Sequence, residues 1–164
     1  MIFVTVGHQM PFDRMVQAVD QWASANGRDD VFAQIGTTSY VPQHIQWAPT
    51  IEPDEFARRI ADADAVVAHA GTGTILTALE AGTPILVMPR RAALLETRND
   101  HQVATAERFL EMGRVAVAMD EHALPGMLDQ ISSLKAGQEI SSQASPELLK
   151  ALADFVHQRD SSDR

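Results

Sequence analysis

Short apolar runs alternate with amphipathic stretches along most of the chain. The runs of strand length span residues 2–6, 31–35, 45–48, 65–69, 85–88 and 115–118. Several of them are apolar without a break, which is typical of parallel strands covered on both faces. Strands that alternate with helices predict an α/β fold, here a Rossmann-like parallel sheet of about six strands with helices on both faces.

The stretches between these runs have helical spacing. Apolar residues recur every three or four positions at Phe12, Met15, Val16, Val19 and Trp22, and Asn26-Gly27 ends the helix that they predict. Further helices are expected at residues 53–63, 74–81, 99–112, 121–134 and 146–157, with a loop at 90–98. We expect one domain over residues 1–158 and a disordered tail over residues 159–164.

Composition narrows the function classes. The 164 residues carry a net charge of −9, with 22 acidic against 13 basic side chains, which argues against a nucleic-acid binder. Cys is absent, so thiolate metal sites are excluded, and we expect no metal at all. The first residues lack the pattern of a signal peptide, and no apolar stretch is long enough to enter a bilayer. A cytoplasmic location is therefore expected.

Three strand ends carry candidate chemistry, and the carboxyl ends of parallel strands lie along one edge of the sheet. In the central segment, Gly71 and Gly73 let the backbone turn tightly, and the helix that follows offers free N–H groups to an anion. Thr72 and Thr74 add hydroxyl donors. Alternatively, the glycines only make a tight turn with Thr72 as the N-cap. His69 is either a core histidine or part of this site.

The two other strand ends are also open to two interpretations. Asn99 and Gln102 have the spacing of a capping box at a helix start, which leaves Asp100 and His101 for hydrogen bonds to a sugar. At the first strand end, Gly7-His8 is either a plain strand exit or a place where His8 assists proton transfer, since histidine titrates near neutral pH.

The motifs His69-Ala70-Gly71-x-Gly73-Thr74, Leu79-Glu80-x-Gly82-x-Pro84 and Asn99-Asp100-His101-Gln102 together resemble the C-terminal domain of family 28 glycosyltransferases. With its opening segment through Asp13, the chain is similar to the small soluble subunit of a split GT-B transferase. Such subunits include the UDP-GlcNAc-binding subunit of the dolichol-linked enzyme and bacterial exopolysaccharide counterparts. The resemblance covers about residues 1–118 and leans towards the bacterial type.

The resemblance implies the donor-binding half of an inverting hexosyltransferase. Its donor would be a UDP-sugar, such as UDP-GlcNAc, UDP-glucuronate or UDP-glucose, and it would need no metal or other cofactor. A membrane-attached partner would hold a polyprenyl-linked acceptor and supply the general base, so this chain would be peripheral to the inner membrane. The apolar stripe of the helix expected at 146–157 would pack on this domain or dock that partner. In isolation the chain could form a homodimer.

The donor-binding residues implied are Gly7, His8, His69, Gly71, Thr72, Gly73, Thr74, Thr77, Glu80, Arg90, Arg91, Asn99, Asp100, His101 and Gln102. Several relatives hold the ribose with a Glu where this chain has Thr77, so either the ribose is held differently or Glu80 substitutes in part. Arg90 or Arg91 would recognise a charged donor sugar.

Two rival functions remain open. An epimerase or hydrolase on the same scaffold needs both halves in one chain, for which 164 residues are too few. A non-catalytic nucleotide-sugar-binding module or decayed subunit would retain the diphosphate site without the transfer reaction.

Overall fold

Six strands form one parallel sheet in the order β3-β2-β1-β4-β5-β6, so the predicted fold class is confirmed. The computed structural model describes residues 1–135, and the predictions for the helix at 146–157 and the tail lie outside the described residues. The strands are β1 (Ile2–Thr5), β2 (Val31–Gln34), β3 (Gln46–Ala48), β4 (Ala65–His69), β5 (Ile85–Met88) and β6 (Ala116–Val117).

Helices cover both faces of the sheet, as predicted. They are α1 (Asp13–Ala25), α2 (Pro53–Asp62), α3 (Thr72–Glu80), α4 (His101–Glu111) and α5 (Leu124–Leu128), with short 3₁₀ turns at Ala92–Leu94 and Ile131–Ser133. Alternate residues of β1 serve the two faces: Val4 packs in one apolar cluster with α1 and α5, while Phe3 packs in the other with α2, α3 and α4. The sheet is thus the middle of three layers.

Local sequence explains the better-predicted helices. In α1 the residues at three- and four-residue spacing, Met15, Val16, Val19 and Trp22, are buried against the sheet. Helix α2 begins with Pro53 at its first turn, where the missing N–H has no cost. The buried face of each helix, rather than its cap, fixes where it lies, since neither helix has a side-chain hydrogen bond at its N-terminus.

Two predicted helices have other bounds in the structure. Helix α3 begins at Thr72 and not at 74, so Gly71 is the N-cap and Thr72 is already helical. The predicted helix at 121–134 is only α5 and a 3₁₀ turn, because Asp120 caps the backbone at Ala123 and Gly126 weakens a longer helix. The predicted loop at 90–98 contains the 3₁₀ turn Ala92–Leu94.

The capping box predicted at the start of α4 was also wrong. Asp100 is the N-cap residue, and no side chain makes a capping hydrogen bond there. Asn99 Oδ1 accepts a hydrogen bond from the His101 backbone instead, and Gln102 Oε1 accepts one from the backbone of Arg90. A long-range contact therefore takes the side chain that the local pattern assigned to a cap.

The strand order creates a crevice at the centre of the carboxyl edge. After β1 the chain turns towards β2 on one side, and after β4 it turns towards β5 on the other. The loops that follow two adjacent strands therefore diverge, and ligands of open α/β sheets bind at such a point. Here it lies between the Gly7 loop and the segment His69–Gly71.

Candidate functional site: the crevice between β1 and β4

The imidazole of His69 fills the bottom of this crevice between two glycines. A Cβ on Gly7 would lie 2.7 Å from His69 Cε1, and a Cβ on Gly71 would collide with Nε2 and lie 2.9 Å from Cδ2. Gly7 also has a φ of +74°, which side-chain-bearing residues rarely adopt. Glycine is thus required at both positions for the ring to fit.

His69 is held neutral in this position. Burial lowers the pKa of His69 to about 4, and the positive charge of Arg90 acts in the same direction. The Thr5 backbone favours protonation but does not reverse the lowering of the pKa, and Nδ1 is buried without a hydrogen bond of ordinary geometry in residues 1–135. A neutral imidazole can donate through one nitrogen and accept through the other.

The start of α3 supplies backbone donors beside the ring. The first N–H with an acceptor one turn back is that of Ile75, which donates to the Gly71 carbonyl at 3.1 Å. The N–H groups of Thr72, Gly73 and Thr74 come before it and have no acceptor within the helix, and no side chain in the described part of the chain caps them. Gly73 is exposed and has open space where a Cβ would be. An anion could therefore approach this turn closely.

A buried hydrogen-bond network positions the Gly7 loop after β1. It was not predicted from the sequence. Thr5 Oγ1 donates to Gln34 Oε1 at 2.7 Å, and the amide of Gln34 donates to the carbonyls of Gly7 and Pro49. Gln34 and Thr5 are almost fully buried. The network fixes the carboxyl ends of β1, β2 and β3 relative to each other. Only the unusual presence of polar residues inside apolar strands signals it in the sequence.

Arg90, one of the two arginines predicted to recognise a charged donor sugar, lies inside the protein. Its side chain is 3% exposed and lies over the ring of Phe12. Nη2 donates to the Val6 carbonyl at 2.8 Å and to the Met10 carbonyl. This guanidinium is therefore held by the β1 loop, and recognition of a charged sugar by Arg90 or Arg91 stays a prediction.

Ionic contacts hold the loop after β5. They were not predicted from the sequence either. Arg14 binds both carboxylate oxygens of Glu96, at 2.6 and 3.0 Å, and donates to Glu121 at 2.6 Å. Glu96 also accepts from the backbone of Arg91, whose guanidinium donates to the Met119 carbonyl. Because the partners of Arg14 are 82 and 107 residues away, no local pattern could indicate this cluster.

The other predicted residues are divided between the protein's own contacts and the surface. At the start of α4, Asp100 Oδ1 accepts from the Ala92 backbone at 2.8 Å, and Gln102 is buried. Asn99 is exposed, and its amide oxygen contacts the ring of His101. These residues thus shape the loop after β5.

Along the first loop and α3 the predicted residues remain accessible to different degrees. His8 and Glu80 are exposed, whereas the Thr77 hydroxyl donates to the Gly73 carbonyl at 3.0 Å. Asp13 is a first-turn residue of α1, and its carboxylate accepts from Thr38 and Ser39. The crevice therefore brings together Gly7, His69 and the first turn of α3.

Within residues 1–135, no helix is long and apolar enough to cross a bilayer. The same part of the chain contains no group of three or more His, Asp or Glu side chains arranged for a metal ion.

The strand order and the crevice define a Rossmann-like α/β domain with a candidate anion site at its switch point. The model of the glycosyltransferase family 28 C-terminal domain matches residues 1–158. The chain belongs to this family, which confirms the resemblance predicted from its sequence motifs.

The chain is similar in sequence to curated proteins named UDP-N-acetylglucosamine transferase subunit ALG13. The chain is 39% identical to the UDP-N-acetylglucosamine transferase subunit ALG13 of Cryptococcus neoformans over 70 residues, which cover 42% of the chain and 33% of that protein. It is 29% identical to the human ALG13 subunit over 124 residues, which cover 70% of the chain and 10% of that protein. The chain thus matches a third or less of the length of these relatives.

Solved structures share the fold at low sequence identity. MurG of Acinetobacter baumannii superposes with a TM-score of 0.64 at 18% identity, over 96% of the chain and 49% of that protein. The solution structure of ALG13 gives a TM-score of 0.58 at 21% identity, over 84% and 87% of the two chains. A glycosyltransferase-type Rossmann-like fold is therefore established for this chain.

Proposed function

We propose that the chain is the donor-binding subunit of an inverting glycosyltransferase that takes a hexosyl group from a UDP-sugar. The observation that supports this most is the crevice itself: three backbone N–H groups without an acceptor among residues 1–135 lie at the sheet edge beside a buried, neutral imidazole. Donors of this kind suit a diphosphate, whose charge grows as the sugar leaves.

Each part of the site has a role in this proposal. The N–H groups of Thr72, Gly73 and Thr74 bind the diphosphate, and His69 adds one hydrogen bond from below. Gly7 allows the β1 loop to close over it, with exposed His8 at its rim. The sugar lies towards the start of α4, near His101, and the uridine towards Thr77 and Glu80. Binding and positioning supply the rate enhancement, without a metal.

A second chain completes the enzyme in this proposal. The similarity to proteins named as transferase subunits supports a heteromeric complex. The partner is membrane-attached, holds a polyprenyl-linked acceptor of exopolysaccharide synthesis and provides the general base. The chain described here then works in the cytoplasm at the inner membrane, bound through that partner.

Calorimetric titration with uridine, UMP, UDP and the three UDP-sugars tests the donor site. We expect UDP to bind at least tenfold more tightly than uridine, because each phosphate adds charge-assisted hydrogen bonds. The matched variants are His8→Ala, at the rim of the site, and His122→Ala, an equally exposed histidine after β6. Only His8→Ala should weaken UDP binding. Equal affinity of the wild-type chain for uridine and UDP would refute the proposed site.

A transfer assay tests the reaction. The chain is combined with membranes that contain the partner, a radiolabelled UDP-sugar and the lipid acceptor. Labelled lipid should form only when both components are present, with inversion at the anomeric carbon. Comparing UDP-glucuronate with UDP-glucose in Arg91→Ala tests whether Arg91 favours a charged sugar.

The contact of Thr77 with Gly73 favours a second candidate function. Its hydroxyl donates to the helix backbone at 3.0 Å and so has no second proton for a ribose oxygen. A non-catalytic nucleotide-sugar-binding module with a weak grip on the ribose fits this observation. Retained UDP-sugar binding together with no transfer in the presence of the partner would favour this candidate.

A further inference from the structure

Arg90 joins the loop after β1 to the end of β5 beneath the crevice. Its Nη2 donates to the carbonyls of Val6 and Met10, on either side of the Gly7 turn, and its own backbone N–H donates to Gln102. The contact with Val6 joins residues 84 positions apart in the sequence, and the contact with Met10 joins residues 80 positions apart. The guanidinium therefore decides where the Gly7 loop lies relative to His69.

The positive charge of Arg90 has no direct ionic partner. Among the described residues, no carboxylate lies within ion-pair distance of it, and its Nε is buried without a hydrogen bond. The nearest acidic influence is Glu96, whose two oxygens are bound by Arg14. Burial lowers the pKa of Arg90, but an arginine keeps its charge in proteins. A buried cation without a counter-ion is energetically costly.

The field of this charge reaches the crevice. His69 ends β4, which pairs with β5, and Arg90 follows β5 by two positions. Next to burial, the charge of Arg90 is the largest influence that disfavours a proton on His69. An anion in the crevice experiences the same field with the opposite sign.

We propose that Arg90 is a positioning residue for the bound diphosphate, acting from beneath the site without touching the ligand. It holds the Gly7 loop in place and supplies the counter-charge that the backbone N–H groups alone lack. This inference rests on the proposed function. It explains how a site on a protein of negative net charge can prefer anions. Neutralising Arg90 should then weaken binding in proportion to the charge of the ligand.

Calorimetry with uridine, UMP and UDP on four forms of the full chain tests the proposal. They are wild type, Arg90→Gln, Arg90→Lys and Arg28→Met. Arg28 is the control because its guanidinium also lies over an aromatic ring, that of Trp22, but it precedes β2 at the opposite edge of the sheet. For Arg90→Gln we expect about a tenfold loss of UDP affinity, a smaller loss for UMP and little change for uridine.

The Lys variant separates charge from hydrogen-bond geometry. Arg90→Lys keeps the charge and should keep most of the preference for UDP over uridine, and Arg28→Met should match wild type. The proposal is overturned if Arg90→Gln weakens all three ligands equally or none of them, or if Arg90→Lys loses the preference as fully as Arg90→Gln. The Lys variant alone decides the matter if Arg90→Gln does not fold.

A second measurement needs no ligand. In an NMR titration, Arg90→Gln should raise the pKa of His69 above its value of about 4, whereas Arg28→Met should leave it unchanged. An unchanged His69 in Arg90→Gln would show that the charge does not reach the crevice and would overturn the inference. Wild-type chain that binds no uridine nucleotide would instead refute the proposed function, so the two failures are distinguishable.

Discussion

Gly71 and Gly73 are only two positions apart, but they have different roles. Gly71 leaves room for the His69 ring, whereas Gly73 leaves open space at the start of α3, and substitution by alanine distinguishes these roles. Gly71 has φ −85° and ψ 126°, an extended conformation that alanine adopts freely. The Gly71→Ala change therefore acts only through its new methyl group. That methyl would collide with Nε2 of His69, and the ring cannot retreat because Gly7 closes its other side.

The expected cost follows from overpacking a rigid site. Inserting a methyl group where neighbours cannot move costs about 1–3 kcal/mol, of which the lower entropy of an unfolded alanine chain returns roughly 0.4–1 kcal/mol. For a domain of this length, about 2 kcal/mol lowers the melting temperature by roughly 4–8 °C. Gly73→Ala should instead keep or raise stability by up to about 1 kcal/mol, because nothing lies within 4 Å of its Cβ position in a helix.

Chemical and thermal denaturation of the two variants, with UDP titrations on each, checks this reasoning. Gly71→Ala should unfold more easily, and adding His69→Ala should remove most of that loss, which gives a coupling energy of about 1–3 kcal/mol. Gly73→Ala should be stable but bind UDP more weakly, since its methyl occupies the approach to the α3 amides. Equal stability of Gly71→Ala and Gly73→Ala, or no coupling with His69, would refute the account of the crevice.

Three further predictions concern buried polar groups. Asp20 accepts from Tyr40 and from the backbone at His44, and these bonds outweigh burial and lower its pKa. Asp20→Asn should therefore cost about 2 kcal/mol by urea denaturation near pH 7, and the difference from wild type should shrink only as the pH falls below about 4. His69, with its pKa lowered to about 4 from 6.5, should make wild-type stability fall by roughly 3 kcal/mol between pH 6.5 and 4, a slope that His69→Gln should lack. Gln34→Leu should cost about 1–3 kcal/mol and broaden the NMR signals of the β1 loop; unchanged stability would contradict its role in holding that loop.

The strands were predicted well because their signal is local. The bounds of β4 and β5 were predicted without error, and each of the other strands differs from its prediction by one residue at one or both ends. Apolar runs bounded by Gly, Pro and Asn directly reflect a sheet that is covered on both faces. This pattern predicts the fold class. The order and the register of the strands are known only from the structure.

The side-chain roles were predicted less well because distant partners decide them. Gln102 had the spacing of a capping residue, yet the backbone of Arg90 takes its carbonyl. The buried position of Arg90 was not predicted, since nothing nearby in sequence reveals its bonds to the carbonyls of Val6 and Met10. For His69 the ring is a packed, buried group between Gly7 and Gly71, and its part in the donor site stays a prediction.

The central claim is that the crevice between Gly7, His69 and the first turn of α3 binds the diphosphate of a nucleotide sugar. An NMR titration of the ¹⁵N-labelled chain with UDP, and with uridine as the control, tests it most directly. The account predicts that UDP shifts the amide signals of Gly7, Thr72, Gly73 and Thr74 most strongly and that uridine leaves them nearly unchanged. No shift at millimolar UDP, or shifts confined to another part of the chain, would contradict it.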